Sequence, residues 1–355
     1  MGAVHETFAA FLRLGLTSFG GPIAHLAYFH REFVARRRWM DAAEFADTVA
    51  LCQFLPGPTS SQVGFAIGLR RAGIAGGLAA WTAFTLPSAV IMATAGWMLA
   101  AAPEVQDQGW LAGLRSFGAA VVAHAVLGMV RTLAPTVGRL ALAAAVAGAL
   151  LAAGRWMGAG GAAALLQPGA IALGALVFGG GHVVLPLLEQ PFTSAGWMDR
   201  EAVMSGYALV QAMPGPLFTL ASYLGAEMAA PHGAPAAFAG ALLLTLSIFL
   251  PGILLVVAAV PAWTRLRTVP RLRGALAGAN CAVIGLLAAA LAQDVVPAAA
   301  AVDGGLAWSV IWFVALLWQE RLVDWKKRFP LVPAHAPILV TAASAALCGQ
   351  LTLGR

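Results

Sequence analysis

Charged side chains are scarce in this chain, which carries 21 Lys and Arg and 15 Asp and Glu among 355 residues, or 10%. A soluble domain carries about 25%. So few charges cannot cover a water-facing surface, and the apolar excess must face lipid. Cysteine is nearly absent: Cys52, Cys281 and Cys348 lie inside apolar stretches without metal-ligand spacing, and they read as small hydrophobes. No cofactor is expected. The His-Glu-x-x-His, Gly-x-Ser-x-Gly and Cys-pair patterns are missing, which leaves an intramembrane enzyme without its working groups. Period-two alternation is missing too, which argues against a transmembrane barrel. No short apolar core with a cleavage site follows Met1, so the first apolar segments are expected to direct insertion themselves. The net charge of +6 sits in short loops between apolar runs. The positive-inside rule accounts for it there, and nucleic acid is not an expected partner.

What is present is hydrophobic length. The runs Gly73–Ala102, Ala141–Ala153, Ala234–Ala262 and Gly274–Ala292 stand against a crossing requirement of about 20 apolar residues. The predicted class is an all-α, multi-pass membrane protein with lipid as its solvent. Tryptophans fall mostly near predicted segment ends, as an aromatic belt does.

The chain also repeats itself. Phe19-Gly20-Gly21-Pro22, Trp39-Met40-Asp41 and Gln53-Phe54-Leu55-Pro56-Gly57-Pro58 return in the same order as Phe178-Gly179-Gly180-Gly181, Trp197-Met198-Asp199 and Gln211-Ala212-Met213-Pro214-Gly215-Pro216. The offset stays near 158 residues. Phe84-Thr85-Leu86-Pro87 answers Ile248-Phe249-Leu250-Pro251. Two homologous halves follow, 1–157 and 158–355. Neither shows a polar linker, so they are expected to pack as one body. Duplicated halves with Gly/Pro interruptions at matching positions are a mark of secondary transporters.

Two prolines around a glycine end one helix and allow another to begin. The backbone groups released there cannot be satisfied by lipid, so the break must line a buried or wet cavity. The next helix start presents free N–H groups and a positive dipole end, which suits an anion. Thr59, Ser60 and Ser61 add hydroxyls in the first copy; Thr219, Ser222 and Tyr223 lie slightly deeper in the second. The half-helices Ala42–Leu55 and Pro58–Leu69 are each roughly 20 Å long, too short to cross. Arg36-Arg37-Arg38 and Arg70-Arg71 flank the first pair, which predicts a re-entrant hairpin with cytoplasmic ends. Around the second pair stand Glu189, Asp199-Arg200-Glu201, Glu227 and His232; the Lys/Arg excess is gone, which places this pair at the opposite face. The halves are then inverted repeats, and Arg155 alone breaks the alternation. A simple spanning first segment would make them parallel instead.

The stretches Leu14–His25, Ala50–Pro58 and Phe84–Ser88, with Phe178–His182 and Pro214-Gly215-Pro216, resemble the chromate transporter family over roughly residues 8 to 290. The length resembles its two-domain, single-chain branch. The resemblance implies a carrier that exports chromate and confers chromate resistance. Sulfate, also a tetrahedral dianion, is implied as a possible ligand, and transport of sulfate or another anion without a chromate role stays open.

The candidate substrate-binding residues follow from the breaks. In the first half they are Arg13, Phe19, Gly20, Gly21, Pro22, His25, Gln53, Pro56, Gly57, Pro58, Thr59 and Ser60. In the second they are Gly179, Gly180, Gly181, His182, Gln211, Pro214, Gly215 and Pro216. Arg13 either balances the dianion or snorkels to the interface. His25 and His182 either donate to the anion, carry a coupling proton, or sit as hydrogen-bonded interior groups. Gln53 and Gln211 offer amide donors or tie down freed carbonyls. Glu44, Asp47 and Glu227 either couple protons or mark helix ends. A homodimer is compatible with this reading.

Overall fold

The computed structural model describes residues 2–102, 109–148, 196–263, 305–325 and 342–347, with isolated residues at 189, 192–193 and between 274 and 300. The described residues are helical, without a β-strand. The chain divides into two compact units with interleaved segments. One contains 1–100, 168–187 and 213–279, and the other 101–167, 188–212 and 280–355.

The first unit opens with α1 (Ala3–Thr17) and α2 (Gly21–Phe29), followed by a π-helical stretch, His30–Arg36. Between the helices Gly20 and Gly21 take φ of 97° and 74°, and Pro22 then starts α2 where its missing N–H costs nothing. Helix α3 (Ala42–Phe54) begins at a capping box: Asp41 accepts from the Glu44 N–H at 2.8 Å, and Glu44 accepts from the Asp41 N–H at 3.2 Å. After Pro56-Gly57-Pro58 comes α4 (Thr59–Ala101), which is broken where Ala72 and Gly73 leave helical geometry.

The second copy repeats this plan. Helix α6 (Arg200–Gln211) belongs to the second unit. The chain then passes Pro214-Gly215-Pro216, one 3-10 turn, α7 (Leu220–Ala229), a break at Gly233 with φ of 93°, and α8 (Ala234–Ala259). Helices α4 and α8 both carry an internal proline, Pro87 and Pro251. The duplication read from sequence is therefore a duplication of broken-helix geometry.

In each copy the arms on either side of the break are clamped by glycine. A Cβ on Gly68 would run into the Gly76 carbonyl, and one on Gly225 into the Gly240 carbonyl. Only glycine lets two backbones approach so closely.

Three described helices are long and apolar enough to cross a membrane: Thr59–Ala101, Gly109–Arg131 and Ala234–Ala259. Every fourth residue from Phe238 to Leu254, namely Phe238, Leu242, Leu246, Leu250 and Leu254, is exposed. The post-break arm of α4 exposes Ile74, Leu78, Leu86, Val90 and Met98. Apolar stripes of this length belong against acyl chains.

The second unit contains α5 (Gly109–Leu133), α6 and α9 (Gly305–Trp325), with α5 packed on both of the others. Gly118 of α5 packs against Ala208 of α6. Glu189, only 1% exposed, accepts from Arg200 at 2.7 Å, so this buried carboxylate is paired.

Gly73 has φ of 63° and ψ of −159° with open space around its Cβ position, so Gly73→Ala should cost about 1–3 kcal/mol of backbone strain. Gly68→Ala must instead push two backbones apart. Thermal unfolding in detergent should show the larger fall in Tm for Gly68→Ala. Equal falls would mean that the arms are free to separate.

Candidate functional site

The first Pro-Gly-Pro needs Gly57 because its φ is 129°, outside the range of L side chains. Leu55 ends α3 in extended geometry, and the Pro58 carbonyl accepts the Gln62 N–H at 2.9 Å to start the next helix. The Gln62 side chain then closes the break. Its Nε2 donates to the Pro56 carbonyl at 2.8 Å and to the Gly252 carbonyl of α8 at 3.2 Å. Two carbonyl partners fix which end of the amide is nitrogen. The Oε1 of Gln62 and the Oγ of Ser61 are buried without a partner. Ser60, Ser61 and Gln62 are 4%, 2% and 1% exposed, so this helix start is lined by enclosed polar groups.

The second Pro-Gly-Pro turns at Gly215, with φ of 107°. Its freed N–H donates to the Ser18 carbonyl at 2.9 Å. That carbonyl also lies 3.2 Å from His25 Nε2. A carbonyl only accepts, so Nε2 carries a proton, and Nδ1 is left buried without a partner. The His25 ring meets Phe84 edge-on at 5.2 Å. Ser18 Oγ and Thr85 Oγ1 are also buried and unpartnered, while Ser88 Oγ donates to the Thr85 carbonyl at 3.1 Å.

The two tips dock reciprocally. A Cβ on Gly57 would lie 3.0 Å from Gly252 Cα, next to Pro251. A Cβ on Gly215 would lie 2.6 Å from Ser88 Oγ, next to Pro87. Each copy's break thus sits on the other copy's proline-bearing helix, immediately after the proline. Reciprocal contact of this kind is what a two-fold relation between the copies produces.

The chemistry of the tips differs. Thr59-Ser60-Ser61-Gln62 follows the first, and Leu217-Phe218-Thr219-Leu220 follows the second. There the Thr219 hydroxyl is used locally, donating to the Pro216 carbonyl at 2.8 Å.

Of the residues expected from sequence, His25 shares the Ser18 carbonyl with Gly215, and Gly20, Gly21 and Pro22 form the turn into α2. Pro56, Gly57, Pro58, Thr59 and Ser60 form the first tip. Gln53 is exposed on α3 and makes no hydrogen bond at the tip. Gln211 is buried at the end of α6 with Nε2 unpartnered. Arg13 lies apart, in a pocket with Thr17, Tyr28 and Arg31. Glu44 caps α3 and faces Arg70 at 4.0 Å. Gly179, Gly180, Gly181 and His182 lie outside the described residues.

Sequence reading missed Gln62, Ser18, Thr85 and Ser88. The available signal for Gln62 was an amide four residues past Pro58, at the head of an otherwise apolar helix.

These features define a polytopic all-α membrane protein built from two homologous broken-helix repeats. The family model for "Chromate transporter" matches twice, over residues 5–167 and 168–348, and the chain belongs to the chromate transporter family. It is 27% identical to a chromate transport protein of Pseudomonas aeruginosa, over 80% of this chain and 79% of that one. It is 26% identical to a probable chromate transport protein of Synechococcus elongatus, over 79% of this chain and 82% of that one. An uncharacterized transporter of Methanocaldococcus jannaschii is 42% identical over 24% of this chain. No solved structure matches.

Replacing Gln62 by Leu leaves the Pro56 and Gly252 carbonyls without this donor. The loss should be about 1–3 kcal/mol, read as a lower Tm in detergent. A Tm equal to that of the unaltered protein would mean that the amide does not hold the break.

Proposed function

We propose that this protein is a secondary transporter that exports chromate, a tetrahedral dianion, across the bacterial inner membrane and so confers chromate resistance. The observation that carries the reading is the enclosed polar helix start at Pro58–Gln62, seated on α8 at Gly252. A helix N-terminus favours an anion, and buried hydroxyls can replace part of its hydration. The two repeats, residues 1–157 and 158–355, act as opposed halves that rock about these tips. The basic flanks of the first hairpin and the lost Lys/Arg excess around the second support inverted insertion.

Export of a dianion from a cell negative inside is electrically downhill, by about 2.3 kcal/mol per charge per 100 mV. His25, with one protonated nitrogen at Ser18 and the other unpartnered, is the group suited to carry a coupling proton. Sulfate shares the shape and charge of chromate and is the competitor to include.

The test is chromate accumulation in everted membrane vesicles with and without the protein. Energised uptake, reduced by sulfate, is the expected result. Vesicles that contain folded protein but take up no chromate would remove the substrate assignment. The double variant Pro56→Ala, Pro58→Ala should insert normally and lose uptake, since a continuous helix releases no N–H groups to the anion. Uptake at the rate of the unaltered protein would take the broken helix out of the mechanism.

A further inference from the structure

A cavity of about 230 Å³ in the first unit is lined by Arg13, Leu14, Thr17, Tyr28, Arg31, Glu32 and Arg36. Its charges are not balanced. Glu32 is taken by two arginines: Arg36 donates to both of its oxygens at 2.9 Å, and Arg37 donates at 2.6 Å. Burial raises its pKa, but these hydrogen bonds and charges outweigh burial and hold the carboxyl below its ordinary range. Neither Arg13 nor Arg31 has a carboxylate partner among the described residues. Arg31 lies over the Tyr28 ring, 5.3 Å from its centroid.

The backbone explains why these groups share one cavity. In an α-helix, residues five apart are about 1.4 turns apart and face different sides. The stretch His30–Arg36 is π-helical, and its wider i→i+5 winding brings Arg31 and Arg36 towards one line. Arg13 faces them from α1. Arg13 and Arg31 are exposed side chains from different elements, and both line one concavity without a carboxylate partner among the described residues. That arrangement is unfavourable alone and becomes favourable when an anion joins it.

Helix α1 links the cavity to the second break along the chain. Arg13 is five residues before Ser18, about 7.5 Å along a helix, and the Ser18 carbonyl holds the Gly215 N–H.

We propose that Arg13 and Arg31 form a loading site for a tetrahedral oxyanion, separate from the Pro-Gly-Pro tips, from which substrate passes to the break. The proposal rests on the transport reading above and adds a second anion site to it. A free oxyanion and a phospholipid phosphate offer the same chemistry, and the loading role requires the free ion.

The test uses the full chain in phosphatidylcholine nanodiscs with radiolabelled inorganic sulfate, chromate as competitor, and the variants R13Q, R31Q, R13K and R31K. Each neutral variant should weaken sulfate binding roughly tenfold, and each lysine variant should weaken it less. In everted vesicles R13Q and R31Q should raise the half-saturating chromate concentration while keeping the maximal rate. Affinities within about twofold of the unaltered protein in both neutral variants would overturn the loading site and leave the transport reading standing. Loss of arginine-dependent sulfate binding on adding phosphatidylglycerol would reassign the cavity to a lipid headgroup. An unaltered protein that neither binds nor transports either anion would remove both readings. A misfolded glutamine variant, seen by size exclusion, leaves the lysine variants to decide: equal affinity in both would overturn the proposal.

Discussion

A helix interrupted inside a bilayer releases backbone groups that lipid cannot satisfy, and the fold is organised around finding them partners. The Gly215 N–H goes to the Ser18 carbonyl, and the Pro56 carbonyl goes to the Gln62 amide. Both solutions are tertiary as well as local. The first ties a break of the second repeat to the chain between α1 and α2. The second also reaches α8 through Gly252. The breaks are therefore where the two repeats are joined, and neither tip is complete in its own repeat.

Duplication has not kept the tips equal. A glycine of positive φ and a seat just after the other copy's helix proline are common to both. The side chains after the turn are polar in one and apolar in the other. A pore lined symmetrically would use both starts alike. Here one start offers enclosed hydroxyls and an amide, while the other offers packing: Phe218 meets Phe249 at 6.1 Å, and Phe249 meets Trp81 at 5.7 Å. Trp81 thus serves the interior instead of an interfacial belt.

Much of the architecture was legible because glycine and proline act locally. Pro56, Gly57 and Pro58 specify a break wherever they are placed, and the Asp41 and Glu44 pair specifies a helix start. Both appear where the sequence puts them. Partnership over long sequence distance was not legible. Nothing near Gln62 announces Gly252, 190 residues away, and nothing near Ser18 announces Gly215. Gln53 and Gln211 hold equivalent positions before the two breaks in sequence, yet Gln53 is exposed and Gln211 buried. The π-helical winding of His30–Arg36 has no simple sequence mark, so the meeting of Arg13 with Arg31 could be seen only in three dimensions.

The glycine pairs Gly68–Gly76 and Gly225–Gly240 have a mechanical consequence. Beside them Ala72, Ala80 and Ala229 already crowd the missing side-chain positions. Sliding one arm along the other would therefore drive a methyl group into a neighbouring backbone. Each broken hairpin is a lever of fixed angle. Whatever motion carries solute across must be taken up at the joints outside these arms, with the pre-break and post-break segments travelling together as one stiff piece.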